Sequence, residues 1–357
     1  MASMQQAIAS AKGQLQNRQP YEALSTLAAY QTSHPDNIEI LQVLAESHLE
    51  ISALPDEPNG ESHAESAYNY FKRAADLDSN HGSKGDSYEK YLWLGQLSGG
   101  HDAVKWFRIG CDRLRKELSN EHTTEDKKVI LKKKLCDALC SSIEIWMTDL
   151  CMEPEAESTC ESLITESLMV DSNHQESYTT LASIRISQQR NSDARVALQR
   201  SWDLYCDSVG ADKSDQTLSE DGADEVAQIS SLKTLTRCCI ETELFPVAEA
   251  ACKRILDLDE EIAEVWYLSG LVAAQQYAKS GDVSQLKSAY ENFQAGLELI
   301  ESGLEEPEEL KEELIKCVTE AERQLLGGAE TGLKGEDVGG EEPDDGEWLD
   351  ILDGEED

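Results

Sequence analysis

At positions 67–80 the chain reads AYNYFKRAADLDSN. Ala67, Phe71, Ala74 and Leu77 fall at i, i+4, i+7 and i+10, one face of an α-helix. The phrase returns as CESLITESLMVDSN (160–173) and as AEAACKRILDLDEE (248–261). Each copy opens on a small residue and closes on Leu or Val followed by Asp: Asp78, Asp171 and Asp259. A helix that writes the same apolar stripe several times cannot cover that stripe alone, and needs a like neighbour to stack against.

A complete unit is legible at 175–208, QESYTTLASIRISQQRNSDARVALQRSWDLYCDS. Tyr178, Leu181 and Ala182 mark a first helix; Ala194, Leu198 and Ser201 mark a second. Small Ala182 and Ala194 allow close approach, and Leu181 and Leu198 fill the space between. The polar QRNSD between them supplies turn and capping residues. This large–small alternation over 34 residues is that of a tetratricopeptide (TPR) repeat.

With that unit as a ruler, six more are expected. Ala7, Ala11, Ala23 and Leu27 form the first, closed by HPDN with Pro35. Leu41, Leu44 and Ala45 pair with Ala67, Phe71 and Ala74 across PDEPNGESH (55–63), read as a loop insert. Tyr91, Leu94 and Gly95 pair with Ala103 and Phe107 across a short SGGHD turn. A long helix near LKKKLCDALCSSIEIWM precedes Cys160, Ile164 and Ser167. Leu232 and Leu235 go with Ala248, Cys252 and Ile255; Trp266 and Gly270 go with Ala289, Phe293 and Gly296, around an insertion near AKSGDVSQ. The expected fold is all-α: a TPR-like superhelical array of about seven helix pairs over 1–326, with Pro307 opening a capping helix at 307–326.

Charge and cysteine usage bound the function. The 357 residues carry 71 acidic against 31 basic side chains, a net charge of −40. Such a surface repels nucleic acid and anionic membrane and attracts cationic protein. The ten cysteines form no CxxC pair and sit inside helical apolar patterns, so free, mostly buried thiols are expected. MASMQQAIASAKGQ lacks the apolar run of a signal peptide, and no apolar run reaches the ~18 residues of a membrane span. No metal or cofactor motif and no catalytic motif is present: no glycine-rich phosphate loop, no GxSxG, no HExxH. The inventory is that of a binding scaffold and not of an enzyme.

Two regions leave the repeat pattern. CDSVGADKSDQTLSEDGADE (206–225) is polar and acidic, and is read as an exposed loop. The segment 327–357 holds 13 acidic residues against the single Lys334 and is read as a disordered acidic tail. It accounts for −12 of the −40, so the array itself keeps −28. Within the tail, Trp348, Leu349, Ile351 and Leu352 crowd together in DDGEWLDILDGEED, a pattern suited to a short docking motif.

In stacked helix pairs the first helices line the inner, concave side. Counted from Ile38, the outward positions there are Glu39, Glu46 and Glu50 in the second repeat, Glu89 and Trp93 in the third, and Glu264 and Tyr267 in the seventh. The fifth is neutral, with Thr179 and Ser183; the sixth carries Lys233 and Arg237. An acidic groove with aromatic patches suits an extended Arg/Lys-rich segment. Each of these glutamates read singly is a solvated helix face, worth only ~0–1 kcal/mol in an exposed pair. The carboxylate clamp by which some TPR proteins grip acidic chaperone tails has the opposite sign. Ile8, Lys12, Val43, Glu89 and Trp93 stand where Lys, Asn and Arg would be needed.

Irregular TPRs, an acidic body, a capping helix and the terminus EEPDDGEWLDILDGEED together resemble the fungal dedicated assembly chaperones of the fourth large-subunit ribosomal protein. The HPDN repeat end and AYNYFKRAADLDSN carry the same resemblance, which covers nearly the whole chain. It implies a protein that captures its newly made ribosomal client and holds a long basic loop. It also implies escort of the client from cytoplasm to nucleus and release to the pre-ribosome. A one-to-one complex of a monomer with its client follows, with nuclear import factors as further partners and no direct contact with nucleic acid or membrane. An acidic TPR histone chaperone and a general TPR scaffold are the alternatives left open by the residues alone.

Overall fold

The computed structural model describes residues 3–54, 57–81, 87–211, 223–303 and 307–331. Among them lie fifteen α-helices and no strand. In chain order these are α1 (Met4–Gln16), α2 (Pro20–Ser33), α3 (Ile38–Ser52), α4 (Gly60–His81), α5 (Glu89–Gln96), α6 (Gly100–Leu118), α7 (Glu125–Met147) and α8 (Ala156–Val170). There follow α9 (Gln175–Ser187), α10 (Asn191–Ala211), α11 (Ala223–Glu241), α12 (Phe245–Leu258), α13 (Ala263–Ser280), α14 (Val283–Glu301) and α15 (Glu308–Thr331). The chain divides into two compact units, Met1–Thr180 and Leu181–Asp357, with the boundary inside α9.

From α1 to α8 in the first unit and from α10 to α15 in the second, each helix packs on its successor along the chain. First helices also meet, α1 on α3 and α5 on α7 in the first unit, α11 on α13 in the second. This is serial stacking of helix pairs, and the cores show its mechanism. Ala7, Ile8, Ala11, Ala23, Leu27, Ile40 and Leu44 join α1, α2 and α3 in one cluster. Ala45, Phe71, Ala75, Tyr91 and Leu94 join α3, α4 and α5 in the next. Ala103, Phe107, Leu114, Leu131 and Leu135 join α6 to α7. The small–large alternation becomes physical at two glycines. A Cβ on Gly95 would lie 2.8 Å from the Phe107 ring, and one on Gly270 would lie 2.3 Å from the Phe293 ring, so only glycine lets those rings nest.

Helix ends follow local chemistry. Ser3 and Gln6 form a capping box at α1, Asn37 Oδ1 accepts from the Ile40 N–H, and Thr124 caps α7. Pro20 opens α2 and Pro246 lies in the first turn of α12. Gly281, at φ 67, stops α13 in the left-handed region.

The structure moves several sequence boundaries. Residues 60–63 of the expected insert are the first turn of α4, with the Gly60 N–H on the Glu57 carbonyl and the His63 N–H on the Asn59 carbonyl. The AKSGDVSQ insertion lengthens α13, leaving a two-residue turn at Gly281 and Asp282. Residues 206–211 complete α10 and α11 begins at Ala223; 212–222 lie outside the described residues. After Pro307, α15 packs Leu314, Cys317 and Ala321 at full burial and runs on to Thr331, beyond residue 326. The tail beyond Thr331, with Trp348, Leu349, Ile351 and Leu352, lies outside the described residues. All ten cysteines are free, eight of them buried. Among the described residues no helix is long and apolar enough to cross a membrane.

Candidate functional site

In the first unit, the first helices of successive pairs bring the expected acids into one electrostatic neighbourhood. On α3 the spacing i, i+7, i+11 holds Glu39, Glu46 and Glu50 along one side. Glu39 is the outlying member, and its Oε1 is 2.9 Å from Lys12 Nζ on α1, an exposed pair. Glu46 is half-buried. Burial first, then Glu89 and Glu50, push its carboxyl up to about 7, against the opposing pull of Lys12 and Lys134. Glu50 is also raised by burial, with Arg18 acting the other way.

Glu89 and Trp93 stand one turn apart on α5. Glu89 Oε1 lies 3.9 Å from Lys134 Nζ, at the limit of an ion pair. The Trp93 indole stacks over Phe71, centroids 6.4 Å apart and planes at 18°. Beside it opens a cleft of about 190 Å³ whose lining includes Glu89, Trp93, Phe107, Lys134, Asp137 and Ser141. Ligand pockets are typically ~300–1,000 Å³, so this one suits a side chain and not a whole small molecule.

Asp137 is tied into the wall. Its Oδ1 is 2.9 Å from His174 Nε2, and His174 Nδ1 is 2.8 Å from Ser177 Oγ. Burial alone would lower the His174 pKa, but the Asp137 and Cys140 hydrogen bonds win and raise it to about 9. Ser177 Oγ meets Ser167 Oγ at 2.7 Å, so α7, α8 and the start of α9 are locked together. Glu176, also on α9, is raised by burial and then by Asp137.

The second unit treats its acid differently. Glu264 Oε2 is 2.7 Å from Lys233 Nζ, and its Oε1 accepts from Arg237. Burial works against ionisation there, yet Lys233 and Arg237 hold the carboxyl below its usual range. Tyr267 leans on Phe293 at 6.0 Å, at the edge of the apolar cluster. Glu264, Lys233, Arg237 and Tyr267 are thus engaged with one another's helices or with the core.

Glu46, Glu50, Glu89 and Trp93 are therefore brought together, Glu39 stands beside them, and Glu264 and Tyr267 sit in internal contacts. Thr179, expected to face outward, is buried. Ile8 and Val43 lie in the α1–α3 core at 1 % exposure each, so those two positions do not face a partner. Sequence reading missed Lys134, Asp137 and Ser141. Their i, i+3, i+7 spacing on α7 carried the signal, and extending the outward register to the fourth repeat would have found them. The contribution of His174 depends on contacts among three helices, which no local pattern encodes. Among the described residues no group of three or more His, Cys, Asp or Glu is placed to hold a metal ion.

No family model matches the chain. A Schizosaccharomyces pombe protein described as "Probable assembly chaperone of rpl4" is 33% identical over 219 residues, which is 60% of this chain and 61% of that one. An Emericella nidulans protein of the same description is 31% identical over 245 residues, 67% of this chain and 55% of that one. The chain is similar to fungal assembly chaperones of rpl4. It spans about 61% and 55% of the lengths of these curated relatives. Among solved structures, "Assembly Chaperone of RpL4 (Acl4) (Residues 1-338)" superposes with a TM-score of 0.65 at 28% identity, covering 78% of this chain and 99% of that one. The all-α, TPR-like repeat fold and the resemblance read from the sequence both hold.

Proposed function

We propose that this chain is an assembly chaperone of a large-subunit ribosomal protein of the kind its relatives are named for, rpl4. It takes a basic, extended loop of the newly made client along the acidic first-helix side of its first unit. It shields that loop, carries the client from cytoplasm to nucleus as a one-to-one complex, and yields it to the pre-ribosome. Its action is binding and not catalysis, with import factors as further partners.

The observation that supports this reading is the state of Glu46. It is half-buried, and burial first, then Glu89 and Glu50, raise its carboxyl to about 7 against the weaker pull of Lys12 and Lys134. An incoming guanidinium or ammonium supplies the missing charge where much of the desolvation cost is already met, so this pair is worth more than an exposed one. Trp93 offers an aromatic face for the same cation, and the cleft bounded by Glu89 and Asp137 has room for one side chain. Cation binding also drives the proton from Glu46, so affinity rises with pH through about 7. Transfer to RNA follows from the much denser phosphate charge, which outcompetes scattered carboxylates.

Calorimetry of the full chain with the client's basic loop tests this. The double variant Glu46→Gln/Glu89→Gln is expected to weaken binding about tenfold, or ~1.4 kcal/mol, and Glu264→Gln to leave it unchanged. Added salt weakens the wild-type complex. Equal affinity of wild type and double variant, or tighter binding of histone tails than of the client loop, overturns the proposal.

A further inference from the structure

Against a chain of net −40, residues 105–134 hold ten Lys and Arg and only five Asp and Glu. The densest part is KKVILKKK (127–134), on the first turns of α7. Leu131 and Leu135 turn into the α6–α7 core at 1 % exposure each. Val129 and Ile130 point the other way and remain 68% and 55% exposed. Lys132 and Lys133 are exposed beside them; Val129 reaches both at i+3 and i+4, and Ile130 reaches Lys133 at i+3.

Several other cations in the first unit are committed to nearby acids: Lys12 to Glu39, Arg73 to Asp36, Lys90 to Asp78, Arg115 to Glu166. On α7 itself, Lys127 pairs with Glu117 and Lys128 with Glu125. Lys132 and Lys133 stand in no ion pair among the described residues. Lys132 acts on Glu125 and Lys133 on Glu176 only through space, short of an ion pair, so two exposed cations flank two exposed aliphatic side chains and form a small surface with both a charge and an apolar demand.

We propose that this face of α7 docks an acidic peptide segment of a partner protein that carries large apolar side chains. Charge complementarity sets the sign of the occupant: carboxylates meet Lys132 and Lys133. Val129 and Ile130 set its second property, because their burial requires apolar atoms from the partner. A nucleic acid satisfies only the first demand, because its charged backbone offers no large apolar side chain to cover Val129 and Ile130. The surface is opposite in sign to the client face described above, so one molecule holds a basic segment and an acidic one at different places. This inference does not depend on the client reading.

The test is fluorescence anisotropy of the full chain with a labelled acidic peptide bearing leucines on one helical face, its Leu→Ser counterpart and a short oligouridine. The leucine peptide binds in a salt-sensitive manner, and binding weakens about tenfold in Lys132→Glu/Lys133→Glu and severalfold in Val129→Ser/Ile130→Ser. All four positions are exposed, and unchanged thermal unfolding of both variants confirms that folding is intact. No binding, equal binding of the Leu→Ser peptide, or equal binding by both variants overturns the proposal. Oligouridine binding that needs only the lysines replaces it with an RNA site. A photocrosslinker at Ile130 that captures part of the same chain replaces the separate partner with an internal one.

Discussion

Two acids on first helices, one in each unit, have opposite fates. Glu46 of α3 lies beside Glu89 and Glu50 and is raised to about 7. Glu264 of α13 lies between Lys233 and Arg237 and is held low. The same holds for the aspartate that closes the recurring phrase. Asp259 accepts from the Glu261 N–H at 2.9 Å and shapes a turn at the end of α12. Asp78 is buried inside α4, 2.9 Å from Lys90 Nζ and 3.1 Å from Arg113 Nη1, and accepts from Tyr91 at 3.0 Å. A repeat position fixes where a side chain points. The next helix decides whether its charge is satisfied, and that is where binding capacity arises.

The largest expected effect separates the two aspartates. Asp78→Ala removes a carboxylate from a fully buried lysine, and breaking such a pair costs about 3–5 kcal/mol. Asp259→Ala removes one exposed turn hydrogen bond, about 0.5–1.5 kcal/mol. Chemical denaturation of the two variants checks the ranking. Equal losses would mean that the Asp78 network contributes no more than a turn.

The glutamates differ in sign. A carboxyl raised in the folded state from 4.5 to about 7 is indifferent to stability at acid pH. It becomes destabilising as pH climbs from 4.5 to about 7, and stays so above. Glu46→Gln therefore stabilises the chain above pH 7, on the order of 1–3 kcal/mol, and the gain fades on acidification. Glu264 is lowered, so its stabilisation is present at neutral pH and is lost only as pH falls through its depressed value. Glu264→Gln costs about 1–3 kcal/mol at neutral pH. Thermal unfolding of both variants across pH is the measurement. Loss of stability in Glu46→Gln at alkaline pH would show that its carboxylate is already paired.

Much of this was legible in the residues. Ala67, Phe71 and Ala74 announced a buried helical stripe, and all three are fully buried. Gly95 with Phe107 and Gly270 with Phe293 announced close helix contacts, and each pair meets as ring on backbone. Glu46 and Glu89 were legible as same-side acids because helical register is local. What could not be read was pairing between helices far apart in sequence. Glu264 looked as available as Glu46 until Lys233 and Arg237, about thirty residues away, were seen to close on it. Asp78 read only as the close of the recurring phrase, like Asp171 and Asp259, and nothing pointed from it to Lys90, since a buried ion pair has no signature in periodicity. Helix limits failed where an end depends on neighbours: Gly60 reads as a loop residue, yet α4 starts there.

The smallest expected effect refines the same contrast. Lys134 is the nearest equivalent, in the first unit, of Lys233 in the second. Lys134 Nζ stays 3.9 Å from Glu89, while Lys233 Nζ reaches Glu264 at 2.7 Å. Lys134 is also 41% exposed, so solvent screens it, and Lys134→Met changes stability by only ~0.5 kcal/mol. Its clearer mark is on titration. Losing that cation moves the Glu46 midpoint further above about 7, because Lys134 is one of two lysines that pull it down. Lys233→Met acts on a shorter, less exposed pair and lifts the Glu264 midpoint by more. Carboxyl-resolved NMR titration of the two variants reads both shifts. If Lys134→Met leaves Glu46 where it was, that lysine does not act on the carboxyl, and burial with Glu89 and Glu50 is opposed by Lys12 alone.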